Sequence, residues 1–122
     1  MTDDTMRIGE VAERTELSFR TLRHYDEIGL VTPSARTDGG FRLYTEGDVA
    51  RILLIRRMKP LGFTLDEMRE LLEVVDAMAG DADDPQIRAR LDGVRAEAAS
   101  RREKLRRQVE MADEFLDQLE RI

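Results

Sequence analysis

Arg20 and Arg23 stand three residues apart in the run Ser18-Phe19-Arg20-Thr21-Leu22-Arg23-His24-Tyr25. On a helix this spacing puts both guanidinium groups on one face and turns Leu22 and Tyr25 the other way. A guanidinium pairs bidentately with a guanine edge or clamps a phosphate, so the exposed face carries the chemistry of a recognition helix for duplex DNA. Ser18 is the natural N-cap, because its hydroxyl accepts from the orphan amides of the first turn. Phe19, beside it, can touch a thymine methyl or cover the edge of the core. His24 is the only histidine and the chain has no cysteine, so neither a catalytic base with partners nor a thiolate or imidazole metal centre can be assembled around it.

The elements that must position these side chains can be read outward from them. Ile8 to Arg14 reads as a short helix joined to the arginine-bearing one by a tight turn. Residues 1–6 are polar and expected to fray. After the second helix, Gly29 is placed for a left-handed C-cap and Pro33 discourages further helix. Ala35 to Tyr44 reads as a hairpin with Asp38-Gly39-Gly40 at its tip, Arg36 and Arg42 flanking the tip, and Tyr44 ending the strand. Backbone and side chains at Arg36, Gly40, Arg42 and Tyr44 can seat such a hairpin on phosphates without reading bases.

Thr45 and Asp48 form a capping box for a helix to about Lys59 that buries Val49, Ile52, Leu53 and Ile55 or Met58. Pro60 ends it, and Arg56, Arg57 and Lys59 make a basic cluster at that end. Thr64 and Glu67 form a second capping box, opening a helix to residue 73 or 78 with Leu65, Met68, Leu71, Leu72 and Val75 inward. Gly80 to Pro85 is a polar breaker.

From Ile87 onward the spacing Ile87, Leu91, Val94, Ala98, Arg101, Leu105, Gln108, Ala112, Phe115, Leu119, Ile122 alternates four and three, the a/d rhythm of a coiled coil. A helix of about 50 Å at ~1.5 Å per residue outruns what a domain of this size can cover, which favours pairing with a second copy over folding back. Arg101 and Gln108 interrupt the seam and can fix its register.

Composition sets the limits. A chain of 122 residues is one ordinary domain, or a small domain with an extension, and is expected to bury a modest core without a second one large enough for an enclosed ligand chamber. Without cysteine there is no disulfide framework and no thiol chemistry. No apolar run is long enough to span a bilayer and no secretory leader precedes the fold, so the expected location is the cytoplasm. The net charge is −6, yet residues 1–60 carry ten basic and ten acidic side chains while residues 61–122 carry ten and sixteen. The excess acid thus lies in the second half, leaving the first free to meet phosphates.

Four blocks, Ile8-Gly9-Glu10-Val11-Ala12, Thr21 to Leu30, Gly40-Phe41-Arg42-Leu43-Tyr44 and Leu61 to Met68, resemble in order and spacing the MerR family of bacterial transcription regulators, over roughly residues 6–75. The resemblance implies a mainly α fold: a winged helix-turn-helix followed by a long dimerisation helix in an antiparallel coiled coil. It implies homodimers on near-palindromic promoter sites, with many members bending and untwisting an over-long spacer for RNA polymerase. Arg23 would then lie close to the backbone. Glu16 stands where the family usually has glycine in the turn, His24 where tyrosine is common as a phosphate donor, and Pro60 where a helix-compatible residue is usual.

The expected organisation is a DNA-binding domain over 1–76, a linker over 77–86 and a coiled-coil helix over 87–122. Candidate DNA contacts are Ser18, Phe19, Arg20, Arg23, His24, Arg36, Gly40, Arg42, Tyr44 and Arg57; candidate dimer contacts are Ile87, Leu91, Val94, Ala98, Leu105, Ala112, Phe115 and Leu119. The expected function is a sequence-specific regulator on double-stranded promoter DNA, with RNA polymerase a further candidate partner. The alternative is a coiled-coil interaction or architectural module without effector sensing. No cofactor, metal or membrane is expected, and an enzyme is not, since phosphate-binding loops and nucleophile-base constellations are missing. An effector, if one exists, would be a small organic molecule around residues 76–90, against Met78 and Ile87, because that stretch offers acids but no thiols.

Overall fold

Three local side-chain contacts start the helices where the sequence places their caps. In the computed structural model, which describes residues 4–122, the Thr21 amide donates to the Ser18 hydroxyl at 3.0 Å at the head of α2 (Phe19–Glu27). Thr45 caps α3 (Glu46–Met58) with both halves of the capping box made. The same reciprocal pair, Thr64 with Glu67, opens α4 (Leu65–Gly80), at 2.9 and 3.1 Å. Pro60 falls in a short 3-10 turn, Lys59–Leu61, where its missing amide costs nothing.

Two compact units divide within α4, residues 1–69 and 70–122. In the first, β1 (Thr5–Arg7), β2 (Ala35–Arg36) and β3 (Arg42–Thr45) form an antiparallel sheet in the order β1-β3-β2. Thr5 and Met6, expected to fray with the rest of residues 1–6, instead join Arg7 in an edge strand; residues 1–3 of that expectation lie outside the described residues. Met6 sits opposite Tyr44, and both are buried with Val11 of α1 (Ile8–Thr15), Leu22 and Tyr25 of α2, and Val49, Ile52, Ile55 and Met58 of α3. Fully burying one such side chain contributes about 1.5–3 kcal/mol, so this cluster fixes how the short helices cross.

The turn between α1 and α2 carries its strain at Glu16, the one non-glycine residue with positive φ among those described (φ 58°, ψ 28°). There the Glu16 carboxylate accepts from Arg56 at 2.9 Å. Beyond α2, Gly29 takes φ 71°, and the Arg69 guanidinium donates to the Ile28 and Gly29 carbonyls at 3.0 and 3.3 Å, stapling the head of α4 to the end of α2.

In the second unit α4 continues to Gly80 and α5 runs Pro85–Glu120, so 81–84 alone connects them and the expected linker of 77–86 is too long. Asp84 explains the early start of α5: its carboxylate accepts from the Gln86 and Ile87 amides, with Pro85 preset at the first helical position. On α4 the buried residues are Met68, Leu71, Leu72 and Val74, whereas Leu65 and Val75 are exposed. The stripe is rotated from the expected one, toward the 67–71–74–78 face. Ile87, Leu91, Val94, Ala98 and Arg101 are half-buried, while Leu105, Ala112, Phe115 and Leu119 are exposed. Among the described residues no helix is long and apolar enough to cross a membrane.

Candidate nucleic-acid interface

Helix α2 presents what its sequence offers. Arg20 is exposed and makes no hydrogen bond or ion pair among the described residues, so the surface acid that could have neutralised it is absent there. Arg23, also exposed, has its guanidinium 5.7 Å from the centre of the Phe19 ring, a cation-π contact that props it at the head of the helix. Phe19 itself lies against the α1 backbone at Gly9 and remains 44% exposed. The Ser18 hydroxyl is committed to its cap, accepting from the Thr21 amide and donating to the Thr21 hydroxyl at 3.0 Å.

Arg20, Arg23, His24, Tyr25, Glu27, Lys59 and Leu65 line an open cleft of about 630 Å³. Three permanent cations around a concave face, with one carboxylate, make a surface that attracts anions. Arg57 is exposed at the end of α3, near in sequence to Lys59.

The hairpin of β2 and β3 is strapped at its base and on one flank. At its base, Asp48 Oδ2 accepts from the Ser34 amide at 3.0 Å, the Ser34 hydroxyl at 2.7 Å and the Thr45 amide at 2.9 Å. On its flank, Asp26 of α2 accepts from Arg36 at 2.8 Å and Arg42 at 2.7 Å. Burial pushes the Asp26 carboxyl up, but the hydrogen bonds and charge of the two arginines outweigh it and hold it below the ordinary aspartate range. At the tip, Gly40 takes φ 83°, and Phe41 is exposed with the Arg7 guanidinium 5.6 Å from its ring centre.

Tyr44 is the candidate contact that the structure removes. It is fully buried on the inner face of the central strand, its hydroxyl without a hydrogen-bond partner among the described residues, and burial raises its pKa. Tyr25 is buried in the same manner, as its position beside Leu22 implied. Sequence reading missed Asp26 and Asp48 as struts. Asp26 carried a signal: an acid in the last turn of a helix opposes the macrodipole and calls for a cation from elsewhere. By sequence Asp48 belongs to the capping box alone, whereas its grip on Ser34 spans fourteen residues.

A helix-turn-helix with a strapped hairpin beside its exposed arginine helix defines a winged DNA-binding module. The chain belongs to the MerR family: residues 6–74 match the MerR HTH family regulatory proteins and residues 49–122 match the MerR DNA-binding family. It is 49% identical over 67 residues to nodulation protein NolA of Bradyrhizobium elkanii, a match covering 55% of this chain and 31% of that protein. Against the transcriptional regulator ZntR of Escherichia coli it is 46% identical over 68 residues, covering 56% and 48%. Among solved structures it resembles MtaN, the N-terminal part of the Bacillus subtilis multidrug transporter activator, at 35% identity and a TM-score of 0.61 over 95% of each chain. The matches to NolA and ZntR span about a third and about half of those proteins.

Proposed function

We propose that this chain is a sequence-specific regulator of transcription that binds double-stranded promoter DNA as a homodimer at near-palindromic sites and acts by distorting the promoter. The observation that carries this reading is the pair Arg20 and Arg23: exposed, uncommitted to any acid, and held beside a braced wing. Arg20 reads base edges, Arg23 and His24 hold phosphate, and Arg42, Arg57 and the Gly40 backbone position the module on the duplex. Phe19 and Ser18 shape the head of the recognition helix. Family membership supports the reading, and a regulator doing this work would reside with the chromosome in the cytoplasm.

Dimerisation belongs to α5. Over 36 residues it is about 54 Å long at ~1.5 Å per residue, and its distal half exposes Leu105, Phe115, Leu116 and Leu119. Such a stripe needs a partner, and antiparallel pairing of residues 87–119 would set the DNA-binding units of two chains on one duplex. RNA polymerase is the natural third party at a distorted promoter. A small organic effector would lie near residues 76–90, where the sequence has no thiol to hold a soft metal.

The test is fluorescence anisotropy with near-palindromic and scrambled duplexes at 50 and 200 mM salt. Tight, preferential binding that weakens ~10³–10⁵-fold across that range if six to ten phosphates are engaged supports the reading. Absent or salt-insensitive binding would favour the coiled-coil interaction module instead.

A further inference from the structure

Arg36 and Arg42 are direct cross-strand partners in the register of β2 and β3. Opposed residues in an antiparallel pair have Cβ atoms only about 4.5–5.5 Å apart, and like charges placed so repel. This wing tolerates the pair because one oxygen, Asp26 Oδ2, accepts from both, Arg36 at 2.8 Å and Arg42 at 2.7 Å. The Asp26 side chain is only 10% exposed and comes from the last turn of α2, the helix that carries Arg20 and Arg23. The second arm of Arg36 reaches the Gly40 carbonyl at the wing tip at 3.4 Å. One carboxylate therefore joins the recognition helix, both wing strands and, through Arg36, the wing tip.

Arg42 spends its Nε on Asp26, and its terminal amino groups make no hydrogen bond among the described residues. The residue can be braced from behind while facing a phosphate in front. The Asp26 charge meanwhile offsets one of the two wing cations.

We propose that Asp26 is the residue that sets sequence discrimination: it fixes the wing at one offset from the recognition helix and withholds one positive charge from the phosphate-facing surface, giving up indiscriminate affinity for selectivity. The inference rests on the DNA-binding reading above and adds to it a positioning residue that touches no DNA.

Two variants of the full chain separate the two effects. Asp26→Asn keeps the shape and removes the charge. It should bind scrambled duplex severalfold tighter at 50 mM salt, steepen the logarithmic salt slope by about one, and lower the ratio of specific to non-specific affinity about tenfold. Asp26→Glu keeps the charge and moves it by one methylene, so its scrambled-duplex affinity and salt slope should match the parent while the specificity ratio still falls. Thermal unfolding of both variants reports on folding, and Asp26→Glu decides the matter if Asp26→Asn does not fold. A parallel loss of affinity for all duplexes with the ratio intact would make Asp26 a stability residue and overturn the proposal. An unchanged ratio in Asp26→Glu overturns the positioning role. A parent chain that prefers no duplex at all would overturn the functional reading itself, an outcome separate from any behaviour of the variants.

Discussion

Replacing Asp48 by alanine should loosen the base of the wing at a cost that can be worked from its bonds. Asp48 is 7% exposed and its Oδ2 takes the Ser34 and Thr45 amides and the Ser34 hydroxyl. Hydrogen bonds to a charged group contribute ~1.5–3 kcal/mol each. The sum overstates the loss, because the Thr45 hydroxyl keeps its cap bond from the backbone amide at position 48, and the Ser34 hydroxyl can turn to water. Removing the buried carboxylate also recovers some desolvation cost. The net expectation for Asp48→Ala is a loss of about 2–3 kcal/mol, a large share of the ~5–15 kcal/mol that holds a domain together. For a chain of 122 residues that lowers Tm by roughly 10 °C. Urea unfolding followed by far-UV circular dichroism, at one fixed protein concentration because association shifts apparent stability, measures it. Asp48→Asn keeps one acceptor oxygen and should lose about half as much. An Asp48→Ala variant within 0.5 kcal/mol of the parent would refute the strut.

Arg20→Ala should abolish sequence preference while leaving scrambled-duplex binding in place, whereas Arg42→Ala should weaken binding to every duplex; competition anisotropy distinguishes the two. Leu105→Asp puts a charge into the exposed seam of α5 and should shift the dimer toward a 14.0 kDa monomer in analytical ultracentrifugation, with DNA affinity falling alongside. Acid should release the wing: the folded pKa of Asp26 lies below its ordinary 3.8, so its contribution is complete above that value and is lost as pH falls through the folded pKa. Asp26→Asn should accordingly flatten the part of the acid limb that lies below about pH 4 in a stability profile.

The parts of this fold that depend on neighbours a few residues away were legible. Ser18, Thr45 and Thr64 each bond an amide three residues on, and the helix starts follow directly. Pro60 and Gly29 likewise mark the ends they were expected to mark. What escaped depends on distant chain. Strand β1 is three residues long and exists because Thr5, Met6 and Arg7 pair with Thr45, Tyr44 and Leu43. That pairing makes β3 central, and a central strand turns its alternate aromatic inward, so Tyr44 belongs to the core rather than to the DNA. Asp26 reaches across ten and sixteen residues to its arginines, beyond any local pattern. At the α4–α5 junction, polar composition suggested a long linker, but Asp84 and Pro85 are a helix start that composition alone conceals. The cationic face itself was readable from Arg20 and Arg23 because helical spacing is local.

Selection of bound duplexes from a randomised pool by the full chain, followed by measurement of chains per duplex on the winning sequence, tests whether the protein is a dimeric, sequence-specific DNA binder. Enrichment of a two-fold symmetric site that binds two chains is expected, with preference lost in Arg20→Ala. No enrichment, or a single chain on an asymmetric motif, would contradict it.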